Sequence, residues 1–219
     1  LMGDSAYSTD ASATTLNRLT TAQVAAGGNH NVYLKSDGIL GAWGYNYYGQ
    51  VGDGTTTTPR TAPVRVGTDT TWVGITAGGN HTHGIKSDGT LWGWGYNNAG
   101  QVGNTSTTNQ PAPVQIGTDA AWSWVDGGTS HTAAIKTNGT LWAWGNNYNG
   151  QVGDGTYGST ANKTSPVQIG TVTTWAAVSA GGNYTMALRA DGTRWGWGYN
   201  GYGQTGTGST SYSPTQVGT

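Results

Sequence analysis

The chain has 219 residues and a formal net charge of −1, with 39 glycines, 11 tryptophans, 12 tyrosines, no phenylalanine, no cysteine and only 9% charged residues. That balance excludes a concentrated basic surface for nucleic acid or an anionic membrane, and it excludes a disulfide frame, a thiolate metal site and a thiol nucleophile. It also argues against a helix-rich fold, and no run of about 18 apolar residues is present to insert into a membrane.

Residues 1 to about 18 are small and polar and lack the basic region and apolar core of an intact signal peptide, so they are expected to form an arm or linker. From Leu19 the sequence is periodic. Near copies of one stretch start at Gly27, Gly78, Gly127 and Gly181, and the tryptophan of each WG step falls at 43, 94, 144 and 197, giving steps of 51, 50 and 53 residues. A period of this size marks a repeat architecture. The units run over about residues 19–67, 68–117, 118–170 and 171–219.

Alternation and turn residues place the strands within the second unit. Trp72 to Ala77 is predicted as the first strand, ended by Gly78-Gly79, and His81 to Lys86 as the second, with His81, His83 and Ile85 on one face. Asp88-Gly89 is expected to supply the positive φ of a two-residue hairpin. Thr90 to Gly95 is the third strand, with Leu91 opposite Trp92 and Trp94, and Pro113 to Ile116 the fourth. Four short antiparallel strands per unit are the content of one propeller blade, so the fold class is an all-β, β-propeller-type repeat protein.

GGNHTHGIKSDGTLWGWGYNNAGQVG, followed by a variable loop and PVQIG, resembles the repeat of the regulator of chromosome condensation family. The resemblance covers about residues 21–219, four times over. It implies four-stranded propeller blades, usually seven of them, against four units here. The last element, Pro214 to Thr219, precedes in phase the strand with which the first unit begins. This pattern fits a blade mixing both termini, a fragment cut at a repeat boundary, or subunits joined head to tail, and an open arc of blades is expected to be sticky.

Candidate chemistry dissolves into the repeat. His30, His81 and His131 share one position with Tyr184, which favours a structural hydrogen bond over a ligand or proton carrier. His81 and His83 lack a third ligand nearby, so no metal site is expected. Gly201 to Gly206 matches G-x-G-x-x-G with no helix to follow, and is no dinucleotide site. Asp37, Asp88 and Asp191 share a pre-glycine turn position with Asn138, which suits turn capping rather than acid–base catalysis. The pairs Trp92/Trp94, Trp142/Trp144 and Trp195/Trp197 are expected to wedge between blades, and the first unit has Gly41 in place of its first tryptophan.

The functional signal lies where the units differ. Tyr45, Tyr47 and Tyr48 in the first unit give way to Tyr96, then Tyr148, then Tyr199 and Tyr202, interleaved with Asn46, Asn97, Asn147 and Asn200. Rigid amphipathic tyrosine with adaptable asparagine suits a binding rim. The expectation is a non-enzymatic binding or structural module without cofactor, contacting a protein or copies of itself through these loops. The composition resembles surface, secreted or virion proteins. The alternatives are glycan binding, enzyme inhibition, and, through the family resemblance, nucleotide exchange on a small GTPase.

Overall fold

A computed structural model describes residues 22–218; the arm expected over residues 1–18 lies outside them. The first blade comprises β1 (Gln23–Ala26), β2 (His30–Leu34), β3 (Leu40–Gly44) and β4 (Arg60–Arg65). The second comprises β5 (Trp72–Ala77), β6 (His81–Lys86), β7 (Leu91–Gly95) and β8 (Gln110–Gln115). The third holds β9 (Trp122–Gly127), β10 (His131–Lys136), β11 (Leu141–Gly145) and β12 (Lys163–Gln168). The fourth holds β13 (Trp175–Ala180), β14 (Tyr184–Arg189), β15 (Arg194–Gly198) and β16 (Ser211–Gln216). Each blade is an antiparallel sheet of four consecutive strands, so among the described residues no blade mixes strands from the two ends.

The hairpin between β6 and β7 differs from the expected two-residue turn. Ile85 pairs with Leu91, and Lys86 N–H donates to the Thr90 carbonyl, which leaves the three residues Ser87-Asp88-Gly89 in the loop. Gly89 has φ +82°, and the Asp88 carboxylate accepts from the Thr90 amide at 2.9 Å and hydroxyl at 2.7 Å. The aspartate therefore caps the turn, as Asp191 and Asn138 do in their own units.

The core lies between blades rather than within them. Val32, Leu34, Leu40, Ala42, Val51 and Val66 of the first blade pack against Trp72 and Trp94 of the second. The two following boundaries repeat this arrangement, with Trp122 and Trp144 on one and Trp175 and Trp197 on the other. A sheet face made of small and aliphatic residues thus meets, each time, a face made of indoles. Among the described residues, β1, β5, β9 and β13 follow one another along the inner edge, and the fourth blade makes no comparable contact with the first. The result is an open arc.

Blade 1 solves its missing indole by a size exchange. Gly41 faces the ring of Tyr33, which fills the space above it, whereas in blade 2 the small residue Gly84 lies under Trp72 and its cross-strand partner is Trp92.

The outward face of blade 4 also departs from the other three. Leu40, Leu91 and Leu141 are fully buried under the next blade, and the corresponding position holds the exposed Arg194. A blade face not covered by another blade stays soluble when it is polar. Arg194→Leu would join Leu188, itself 43% exposed, into an apolar patch. We expect the apparent mass of this variant in light scattering to rise with concentration more steeply than that of the parent; identical curves would show that Arg194 does not cap the arc.

Candidate tyrosine rim

The connections between first and second strands and between third and fourth strands emerge at the same end of every blade. The inner ones form a belt. Gly28 N–H donates to the Gly79 carbonyl (3.1 Å), Gly79 N–H to that of Gly128 (3.0 Å), and Thr129 N–H to that of Gly182 (3.3 Å). A side chain on Gly78 would run into both His81 and the Gly128 carbonyl, which explains the paired glycines.

Directly behind the belt, each boundary carries the same buried polar set. The carbonyl of Gln101 accepts from the indole N–H of Trp144 (2.9 Å) and the hydroxyl of Thr132 (2.9 Å), both in the next blade. His81 Nε2 lies 3.1 Å from that hydroxyl. Since the threonine donates its proton to the glutamine carbonyl, it accepts from the imidazole, so His81 carries its proton on Nε2. Gln50 with Trp94, Thr82 and His30, and Gln151 with Trp197, Thr185 and His131, repeat the pattern. Burial holds His30 and His131 at a pKa of about 4 and His81 well below its usual value, with the neighbouring His83 adding to the effect on His81. His83 Nε2 donates to the Val102 carbonyl (3.1 Å), and burial holds it at about 4 as well. His30, His81 and His131 thus tie blades together, in keeping with a structural role at the position that Tyr184 shares, while His83 bonds within its own blade.

The asparagines interleaved with the rim tyrosines have a different role from the one expected. Asn46, Asn97 and Asn147 are fully enclosed and Asn200 nearly so. The Asn97 side-chain amide donates to the carbonyls of Ser106 (2.9 Å) and Thr108 (3.1 Å), while its oxygen accepts from the Val102 amide (2.9 Å). Asn46 makes the equivalent contacts to Thr55, Thr57 and Val51. Asn46, Asn97 and Asn147 staple the variable loops from inside, while Asn200 keeps only the contact of its oxygen with the Thr205 amide, and all four are turned inward. Their recurrence at one place in all four units was the signal of a structural position.

The tyrosines fall into two groups. Tyr45, Tyr47, Tyr48 and Tyr96 form a continuous cluster over blades 1 and 2, with ring centroids 6.3 Å apart for Tyr45–Tyr47, 5.0 Å for Tyr47–Tyr48 and 4.4 Å for Tyr48–Tyr96. Tyr47 is 61% exposed. Tyr148 and Tyr199 instead line a hollow over blades 3 and 4, with Tyr202 6.1 Å from Tyr199 and almost wholly exposed. Two further residues line that hollow, Tyr157 and Tyr212. The repeat pattern does not single them out, although Tyr157 stands in the longest variable loop.

Comparison with known proteins accords with this architecture. The model described as "Regulator of chromosome condensation (RCC1) repeat" matches residues 37–85, 88–135 and 138–188, and a second model of the same description matches 22–50, 72–101 and 175–204. The chain is similar to the ultraviolet-B receptor UVR8 of Arabidopsis thaliana, with 30% identity over 202 residues, covering 89% of this chain and 45% of the receptor. It also resembles the probable E3 ubiquitin-protein ligase HERC6 of Homo sapiens, 36% identical over 90 residues, covering 40% of this chain and 9% of the ligase. The chain thus spans less than half the length of either relative. Among solved structures, Prp20p from Saccharomyces cerevisiae matches with a TM-score of 0.80 at 23% identity, over 90% of this chain and 50% of that one. Human WBSCR16 matches with 0.79 at 22%, over 91% and 54%. With its blades, its boundary contacts and most of its length matched by the repeat model, the chain belongs to the regulator of chromosome condensation repeat family.

Proposed function

We propose that the arc is a non-enzymatic protein-binding scaffold whose contact surface is the tyrosine rim over blades 1 and 2. The supporting observation is the cluster of Tyr45, Tyr47, Tyr48 and Tyr96, four rings in mutual contact on loops stapled from within. Such rings offer a large contact area with little side-chain entropy left to lose on binding. The histidines that could have served chemistry are committed to boundary hydrogen bonds, and the turn carboxylates to capping. Relatives lend the reading support: the structure of Prp20p is described with binding to Gsp1p and histones, and another with Kap60 bound to that protein. The expectation of a surface or virion setting finds no support among these relatives.

The test is an affinity measurement with a partner captured by the parent chain and purified. Alanine at Tyr47 and Tyr48 together is expected to weaken binding by about 30-fold or more, the factor that corresponds to one hot spot, with an unchanged melting temperature. Undiminished binding by this variant would reject the rim as the contact surface. Accelerated nucleotide release from a small GTPase would instead favour the exchange-factor reading.

A further inference from the structure

We propose that the hollow over blades 3 and 4 is a binding site for a neutral saccharide. It is a cleft of about 530 Å³ lined by Tyr148, Asn149, Tyr157, Ser159, Tyr199, Thr210 and Tyr212 together with Gly158. That volume lies within the range of small-molecule clefts. Its side chains are phenols, hydroxyls and an amide, without one charged group.

The floor is a prepared stacking platform. The rings of Tyr157 and Tyr212 lie face to face, 3.9 Å between centroids and 14° from parallel. Tyr212 in turn sits against Gly150, where a side chain would collide with its ring. One face of Tyr157 is therefore backed by a second ring resting on backbone, while the residue as a whole remains 58% exposed. The electron-rich face of an aromatic ring attracts the weakly positive C–H groups on the flat side of a pyranose. The sugar hydroxyls at the edge of that contact need donors and acceptors, and Tyr148, Asn149, Ser159 and Thr210 supply both around the platform.

Neither member of the stack is required by the repeat. Tyr212 occupies the position held by Pro111 and Thr164 in the preceding blades, each of which lies against the loop glycine that precedes its own blade, Gly49 and Gly100. Tyr157 belongs to the 12-residue loop of the third unit, the longest of the four. The platform is thus an addition to the scaffold. The cleft is open and polar at its margin, as suits a ligand that keeps part of its hydration.

Native affinity electrophoresis tests the proposal, with the chain run through gels containing laminarin, hydroxyethylcellulose, xylan, galactomannan or glycol chitin. We expect retardation by at least one of these. Tyr157→Ala should abolish it, and Tyr157→Phe, which keeps the stacking face, should retain most of it, both with the parental melting temperature. The Tyr47→Ala, Tyr48→Ala variant should be retarded as the parent is, which separates this site from the rim over blades 1 and 2. Mobility unaltered in all five gels would overturn the proposal. So would equal retardation of Tyr157→Ala and the parent, retardation by dextran sulfate alone, or Tyr157-dependent binding of a fluorescent decaproline peptide without any saccharide binding.

Discussion

Trp144→Ala is expected to lower stability by about 3–5 kcal/mol, the usual cost of deleting an enclosed indole. The ring is fully buried, lies edge-on to Trp122 with centroids 6.1 Å apart, and meets the His83 imidazole at 5.6 Å. It also covers Gly103, whose absent side chain leaves room for it: a Cβ there would lie 2.6 Å from Nε1. Removing the indole opens a cavity across the boundary between blades 2 and 3 and takes one of the two side-chain donors from the Gln101 carbonyl. For a chain of this size each kcal/mol moves the melting midpoint by roughly 2–4 °C, so calorimetry should register a fall of about 6–20 °C. Trp142→Ala provides the comparison. Its ring is only half-buried and is covered by the Lys136 ammonium 3.6 Å from its centroid, so the loss should be clearly smaller. Equal effects of the two substitutions would show that the boundary is not where the fold is held.

Acidification from pH 7 to pH 5 is expected to destabilise the arc strongly, well before its carboxylates titrate. Four histidines are neutral in the folded state because burial penalises their charged form, three of them with pKa about 4 and His81 well below its usual value. Unfolded, they titrate near 6.5. Their folded pKa lies below the unfolded one, so the unfolded chain takes up more protons, and stability falls as pH drops through 6.5 toward 4. At pH 5 each of the three rings held near 4 costs on the order of 2 kcal/mol, a large share of any domain's stability when summed, and His81 adds to the loss in the same direction. A second loss follows at lower pH. Burial alone would raise the Asp69 carboxyl, but hydrogen bonds from Lys86 and Thr71 outweigh it and hold the group at about 2, so its contribution disappears between pH 4 and 2. Melting temperatures across pH 5–8 would check the first window. His30→Tyr with His131→Tyr, which copies the arrangement at Tyr184, should flatten the profile; a parent chain equally stable at pH 5 and pH 7 would refute the assignment.

The spacing of glycine and tryptophan made the blade legible, because the turn residues and the indole face are both fixed by backbone and packing. The bounds expected for β5 and β6 are those observed, and β7 begins one residue later than expected. The outer strand was harder. β8 extends from Gln110 to Gln115, beginning three residues before and ending one residue before the strand expected over Pro113 to Ile116; it includes Pro111 and Pro113, since an edge strand tolerates proline where the missing N–H would face solvent. Its register also shifts between Gly93 and Gly95, which alternation along one strand cannot reveal.

Of the site, the rim tyrosines were visible as departures from the repeat, and their clustering follows from loops that share one end of adjacent blades. The asparagines were misjudged because a residue type common on paratopes is also the one best able to cap several backbone groups at once. Tyr157 and Tyr212 were out of reach, since their stacking joins segments of different units and is written in neither.

The glutamine carbonyl that receives an indole and a hydroxyl from the following blade has a bearing on how such chains change length over generations. Gln50, Gln101 and Gln151 each present the same acceptor to the same pair of donors. Recombination that removes or duplicates an internal unit therefore rejoins matching surfaces, and the new junction heals without further substitution. The outward face of blade 4 does not share that surface: Arg194 stands where Leu40, Leu91 and Leu141 stand in the other blades, and a unit joined there would meet a different face. Inheritance can lengthen or shorten this arc at its internal boundaries.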